Sequence, residues 1–435
     1  MNHQQQDTPS GRIMADRGVD VAIIGGGIVG LGIAWTVVRS GRTVAVVDPM
    51  SAAGATYAAA GMLAPVSELH YQEEHLLELM LASASLYPAF VESLGPDVDA
   101  TGYRTTRTVS VGADAADRQS LADLREVQLA NGLSVRPLTI REARALEPLL
   151  SPQLSSALLI ERDHQVDPRK LAERLQSATA VSAREHGWSQ QHAIRQNAVG
   201  LLHEHPGDSS SRVTGVALGD GSELMAGEVV VANGIAAATL GGLPTGLSLP
   251  LRPVYGDILR LRVPEHLRPL LTATVRGLVR GVPVYLVPRS DGTVVIGATQ
   301  REDGSAEVSA GGVYQLLRDA QALVPAVAEL ELLEVTARAR PGTPDNAPLL
   351  GRVAGATGED EPDIPGLIIA TGFFRHGVLL TPIAAQYCLR LIEGITDDRW
   401  TRFRPDRFST PSQKFAVTAE GVHPWPKNRL SPRSR

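Results

Sequence analysis

One cysteine, Cys388, stands in 435 residues, so no internal disulfide can form and no thiolate set for a zinc or iron–sulfur centre is on offer. Lysine is nearly as scarce, at 170, 414 and 427 only, which removes a P-loop lysine and a well-placed Schiff-base lysine. Basic residues form no run, and the formal net charge is −6, so nucleic acid is not an expected partner. No apolar stretch approaches the roughly 20 residues that span a bilayer, and the opening residues are too polar for a signal peptide. A cytoplasmic location is expected, with Met1 and Met14 both open as the start. Histidines at 70, 75, 203 and 205 lack metal-site spacing, so no metal is expected; His70 and His75, flanking Glu73 and Glu74, read as a solvated helix face. Redox chemistry in this chain would therefore need a borrowed cofactor.

What is present is a chain long enough for two interwoven parts, with 43% hydrophobic residues to fill them. Residues 1–18 and 411–435 are polar or Pro-rich without a sustained period and read as loose tails. Between them, an apolar run at 19–24, helical spacing at 28–39 and a second apolar run at 43–47 predict a βαβ unit. Runs at 228–232 and 367–370, each ending in a Gly-containing turn, predict further strands of the same parallel sheet. Residues 254–262, 284–288 and 293–297 are β-rich, and Ser290-Asp291-Gly292 offers a hairpin turn, which predicts a separate antiparallel sheet. Helical spacing at 68–94, 117–131 and 313–333 predicts helices there.

Gly25-Gly26-Gly27-Ile28-Val29-Gly30 follows the first strand and opens the first helix, the context in which GxGxxG reads as a dinucleotide site. Gly25 permits the tight turn, Gly27 admits a pyrophosphate and Gly30 lets helix and strand pack closely. Asp48, at the end of the second run, is placed to accept hydrogen bonds from ribose hydroxyls and to repel a 2′-phosphate. The segment 54–65, GATYAAAGMLAP, is rich in tiny side chains, as a backbone lying against a flat ring requires. A strand ending in 370–377, ATGFFRHG, leads to a helix expected from Val378, whose start would stabilise negative charge on a reduced ring.

Seven stretches, IIGGGIVGLGIAW, AAAGMLAP, VDPRKL, VVVANG, PVYLVPRSDGTVVIGAT, ARPGTPDNAPLLGR and ATGFFRHGVLLTP, together resemble the D-amino-acid oxidase superfamily of flavoproteins, most closely the glycine oxidases of thiamine biosynthesis. The resemblance runs from about Val19 to about Phe408. It implies an α/β fold with a discontinuous Rossmann-like FAD-binding domain and an α+β substrate domain built on an antiparallel sheet. The implied division is 19–97, 155–240 and 336–408 for FAD, and 98–154 and 241–335 for substrate. It also implies that Ile28, Val29, Asp48, Pro49, Ala55, Thr56, Ala60, Gly61 and Met62 line FAD, with Phe373, Phe374, Arg375, His376, Gly377, Val378 and Leu379, and that Ile194 touches the adenine. Tyr285 and Arg340 match the substrate-facing Tyr and Arg, Arg375 matches a second arginine near the substrate, and Met62 belongs to the same wall. Asp48, Phe373 and Gln300 stand where the family often has Glu, His and Met. No Cys precedes Arg340-Pro-Gly-Thr, where members with covalent flavin carry one, so noncovalent FAD is expected.

A guanidinium fork suits a carboxylate, which makes Arg340 the expected handle for an amino acid, with Tyr285 beside it. Arg375 either approaches the substrate or holds the flavin loop, and His376 reads as a loop histidine satisfying backbone groups. Cys388 reads as a small core residue. The expected activity is oxidative deamination of glycine with oxygen as acceptor, the imine feeding thiazole synthase. A dehydrogenase for D-amino acids, sarcosine or proline stands as the alternative, and self-association is left open.

Overall fold

The computed structural model describes residues 18–188, 193–355 and 362–409, and the two stretches read as tails lie outside these except for Gly18. Val19–Ile24 (β1), Ile28–Arg39 (α1) and Val44–Val47 (β2) form the βαβ unit expected from the apolar runs. β1 lies between β2 and Glu223–Val231, parallel to both, and Leu367–Thr371 continues the parallel order beyond Glu223–Val231. Leu349–Gly351 closes that edge antiparallel, and Ala193–Ile194 closes the other, parallel to β2. Both faces of these strands are covered, which is why Val21, Ala22 and Ile23 are all fully buried and the run has no polar alternation.

The second sheet runs Glu331–Gly342, Arg252–Arg262, Thr293–Gly297, Val282–Pro288, Thr274–Val279, Thr108–Gly112, Ser156–Ile160, Arg136–Leu138. Every pairing is antiparallel except that of Thr274–Val279 with Thr108–Gly112. The hairpin joining 288 to 293 forms as its turn residues predict: Gly292 has φ 81°, and Asp291 Oδ1 accepts the Thr293 N–H at 2.9 Å. Ser156–Ile160, assigned above to the nucleotide part, pairs with Thr108–Gly112 in this second sheet. Alternation explains its double allegiance, because Ala157 and Leu159 fill the second core while Leu158 and Ile160 fill the first.

Two helical expectations need correction. Residues 65–73 are turns and irregular backbone, and the helix runs only Leu77–Glu92. The buried Asp163 carboxylate captures the Val66 and Ser67 N–H groups at 3.1 and 2.9 Å, and Gln72 takes a left-handed φ of 68°, so no helix can run through. Downstream, Ala310–Leu323 is helical, but Pro325 offers no N–H to extend it and Glu331 already begins a strand.

Glu147, 1% exposed, ties the two parts of the second sheet together by accepting from the Thr272 and Ala273 N–H groups at 2.9 and 2.8 Å and from the Thr272 hydroxyl. Glu147→Ala leaves those donors unpaired beside the strand Thr274–Val279 and should lower stability by roughly 3 kcal/mol in urea unfolding. A loss below roughly 1 kcal/mol would show that the carboxylate does not hold this junction.

Candidate active site

A cavity of about 530 Å³ opens between the two sheets, walled by the turn after β1, residues 50–62, the strand pairs around Gly256, Tyr285 and Arg340, and residues 370–379. At one end, Gly25 has φ 109° and abuts the Ala232 carbonyl, so any side chain would break the turn. Gly30 presses on the Gly25 carbonyl and faces away from the lining, the close helix–strand contact its position requires. The start of α1 therefore points its free amide groups into the cavity at Gly27, with the Ile28 N–H taken by the Thr56 hydroxyl at 2.9 Å. Asp48 stands on the lining, its two oxygens accepting from the Gly26 and Met50 N–H groups at 2.6 and 2.8 Å, with lone pairs left for a ligand hydroxyl. Ile194 lies beside it, accepting the Asp48 N–H at 3.0 Å, but neither Ile194 nor Pro49 lines the cavity.

Ala55, Thr56, Ala60, Gly61 and Met62 all line the cavity, and the backbone between them is held from behind by arginines. Arg169 Nε donates to the Tyr57 carbonyl at 2.9 Å, Arg260 Nη2 to the same carbonyl at 3.2 Å, and Arg289 Nη2 to the Ala60 carbonyl at 2.5 Å. Drawing these carbonyls outward turns the N–H of the Ala60–Gly61 peptide the other way, towards the cavity, because a trans peptide sets its two polar atoms on opposite sides. Arg289 is 7% exposed; burial pushes its guanidinium down to about 10, still charged at neutral pH, and Asp167 lies 3.8 Å from it.

At the other end the second sheet supplies the wall. Arg276, Tyr285, Gly297 and Ile258 form one row of directly paired residues across four strands. Gly297 leaves room for the Tyr285 phenol, and Gly256 leaves room for the Arg340 guanidinium, which lies flat on the strand. Burial raises the Tyr285 phenol above its usual value, opposed by the Arg340 charge beside it. Arg340 has no carboxylate partner among the described residues and donates only to the Thr299 carbonyl at 3.5 Å.

Arg375 is placed differently. Its guanidinium pairs with Glu73 through Nη2 and with Glu68 at 3.1 Å through Nε, so it grips two carboxylates. Glu68 also pairs with Arg276, and the Glu73 carboxylate accepts from Asn346 at 2.7 Å. Burial alone would raise the Glu68 carboxyl, yet Arg276 and Arg375 hold it well below the usual carboxylate range. The reading of residues 70–75 as a solvated helix face holds in part: His70 and Glu74 are exposed, but no α-helix runs there, Glu73, like Glu68, is only 8% exposed, and His70 stands on the cavity rim. Glu68, Glu73 and Arg276 escaped the sequence reading as site residues; the signal for Glu68 and Arg276 was charge within apolar runs, at 62–69 and 273–279, and Glu73 in its polar stretch carried none.

Phe373, Phe374, Arg375, His376, Gly377, Val378 and Leu379 all line the cavity. The regular helix begins at Thr381, not at Val378, since a 3-10 turn at Phe374–His376 and a further turn intervene before Pro382 sets the first helical turn. His376 is 2% exposed and its Nε2 has no partner, so it does not satisfy backbone groups there as expected. Burial, with Arg375 adjoining, pushes it down to about 3. Cys388 is fully buried in Thr381–Ile392, its thiol pushed up to about 12 by burial, and it lies off the cavity, so no cysteine can attach a ring there.

The DAO family, described as FAD dependent oxidoreductase, matches residues 20–391. The glycine oxidase of Geobacillus kaustophilus is 33% identical over 384 residues, 86% of this chain and 93% of that protein. Its crystal structure superposes with a TM-score of 0.76 at 30% identity, covering 89% of this chain and 98% of the other. The bifunctional protein ThiO/ThiG of Trichormus variabilis is 31% identical over 92% of this chain, which spans 56% of that protein's length. Iminodiacetate oxidase from Chelativorans sp. BNC1 matches with a TM-score of 0.74 at 27% identity, covering 88% and 98% of the two chains. No helix of the described residues is long and apolar enough to cross a membrane.

The residues present fit FAD. The cavity lies within the roughly 300–1,000 Å³ usual for cofactor sites. It runs from the α1 amides past the small-residue loop to 373–379, and the buried Asn233 Oδ1 on its lining lacks a partner. Arg289→Met, which releases the Ala60 carbonyl, should weaken FAD binding at least roughly tenfold in a fluorescence titration of the apoprotein. Affinity equal to that of the natural chain would disconnect the arginine from the loop. His376 gives a pH dependence with a defined sign. Unfolded histidine protonates near 6.5 and the folded one near 3, so the unfolded chain binds the extra proton between those values. Stability should accordingly fall as pH drops below 6.5, by up to about 1.4 kcal/mol per pH unit from this group. His376→Asn should flatten the slope of unfolding free energy between pH 6.5 and 5; an unaltered slope would assign the loss elsewhere.

Proposed function

The chain belongs to the DAO family of FAD-dependent oxidoreductases, and from that premise we propose that it oxidises a small amino acid, glycine first, to an imine that water converts to glyoxylate and ammonia. The observation that carries this reading is Arg340, a guanidinium without a carboxylate partner among the described residues, beside the half-buried Tyr285 in the cofactor cavity. Its planar fork binds the substrate carboxylate through two parallel hydrogen bonds, and the Tyr285 hydroxyl donates a third. Gly256 and Gly297 bring both groups onto the sheet surface, which fixes where the α-carbon stands. When bound, FAD supplies the two-electron acceptor for the hydride leaving that carbon.

The substrate needs its amine neutral so that the nitrogen lone pair can drive hydride departure, and no protein base is required for that step. Arg375, held by Glu68 and Glu73, secures the 373–379 loop against the cavity in this reading. Met62, its sulfur 3.7 Å from Arg276, forms an apolar side of the substrate wall. Oxygen serves as the final acceptor, giving hydrogen peroxide, in the cytoplasm. Imine that is passed on before it hydrolyses feeds thiamine thiazole synthesis, a placement supported by the similarity to a fused ThiO/ThiG protein.

Anaerobic titration of the yellow protein with glycine should bleach the flavin absorbance, and admitting air should restore it with one peroxide per turnover. Bleaching without peroxide would make the enzyme a dehydrogenase. Arg340→Ala should raise the apparent KM for glycine roughly 100-fold or more, as expected for losing a charge-assisted fork, with FAD content unchanged. Unchanged kinetics in this variant would remove the clamp assignment.

A further inference from the structure

Three guanidiniums line the cavity around Glu68 and Tyr285, and the chain itself answers two of them. Arg276 pairs with Glu68; Arg375 pairs with Glu68 and Glu73; Arg340 has no carboxylate partner among the described residues. Arg338, also on the lining, turns to the Ala53 carbonyl, towards the nucleotide end. With His376 and His70 both held below their usual range and so neutral at pH 8, the ion pairs leave one uncompensated positive charge among the described residues at the substrate end. Glu68 is itself a lining residue, so its carboxylate stands on the wall where an incoming carboxylate would otherwise meet Arg276. Arg276 is directly paired with Tyr285 across the strands, so it lies within reach of anything bound to that tyrosine.

We propose that Glu68 is a built-in counter-anion that restricts this site to amino acids with one carboxylate, by occupying Arg276 and repelling a second carboxylate on the substrate's side chain or nitrogen. The proposal rests on the reading of the cavity as an amino-acid site. The physical reason is that like charges held close in a poorly hydrated cavity discriminate strongly, while a free guanidinium there attracts whatever anion fits. A wall carrying Arg276 without Glu68 would hold two unanswered cations, complementary to a dicarboxylate. Glu68→Gln keeps the shape and removes the charge, while Glu73 still holds Arg375.

Glycolate and tartronate differ by one carboxylate and lack the amine, so their binding reads charge alone. They can be titrated against the oxidised FAD-loaded enzyme at pH 8 through the flavin absorption changes. The natural chain should bind glycolate at least roughly tenfold more tightly than tartronate, and Glu68→Gln should tighten tartronate about tenfold and erase the preference. Arg276→Gln, leaving no net positive charge, should weaken both anions. The double variant Glu68→Gln with Arg276→Gln restores one positive charge and should recover the preference for glycolate, which a merely structural Glu68 would not produce. Tartronate binding as well as glycolate in the natural chain, or an unchanged ratio in Glu68→Gln, overturns the proposal and leaves the Arg340 clamp standing. If neither anion perturbs the flavin in the natural chain, the amino-acid reading fails with it.

Discussion

Arginines reaching from the second sheet and from the helix Pro168–Glu185 to the carbonyls of Tyr57, Ala59 and Ala60 hold the cavity's shape, because that segment forms part of its lining. Among the described residues such a segment has no strand partner of its own beyond the pairing of Met62 and Leu63. Its backbone acceptors must then be met by side chains or remain unsatisfied in a buried place. A guanidinium meets several at once in a plane, and Arg289 joins the Ala60 and Val166 carbonyls with the Gln165 amide. An ammonium on a flexible stem would not span them in one plane, which gives physical sense to a chain whose 41 basic residues include only three lysines.

The same logic, carried into the cavity, becomes a charge balance. Ion pairs between a buried carboxylate and a half-buried arginine are weak evidence of stability, since desolvating the partners offsets much of their attraction. Their value here is electrostatic definition: Glu68 and Glu73 fix Arg276 and Arg375 in place and leave Arg340 as the available cation near Tyr285. Burial keeps His376 neutral beside them, so the balance does not shift across ordinary pH.

The nucleotide end was legible in the sequence because its demands are local. A tight turn, a close phosphate approach and a helix start each require particular residues at fixed offsets, and Gly25, Gly27, Gly30 and Asp48 show all of them within 24 positions. The end proposed for the substrate was legible only in part. Arg340 and Tyr285 came through resemblance, while Glu68, Glu73 and Arg276 were hidden because their meaning lies in long-range pairing: Arg276 meets Glu68 across 208 positions and Arg375 meets Glu73 across 302. Helical spacing at 68–76 misled for a related reason, since the Asp163 carboxylate that captures this turn is almost a hundred residues away. The late start of the helix at Thr381 belongs to the same class, set by how 373–380 folds against the cavity and not by its own periodicity.

The two walls of the substrate end differ in stiffness. Tyr285 and Arg340 project from interior positions of paired strands, and each lies over a glycine that leaves no side chain to displace it, so their places are set by the ladder of the sheet itself. Opposite them, 373–379 is irregular, and Phe374 holds a left-handed φ of 47°, a conformation that costs a non-glycine residue free energy and persists only where its surroundings over-determine it. The surroundings that do so are the ion pairs of the next residue, Arg375, with Glu68 and Glu73. Glu68 thereby couples the walls: one carboxylate reaches Arg276 on the rigid sheet and Arg375 on the strained loop. Any rearrangement of the loop must break that bridge, which ties the loop's position to the charge that the cavity presents.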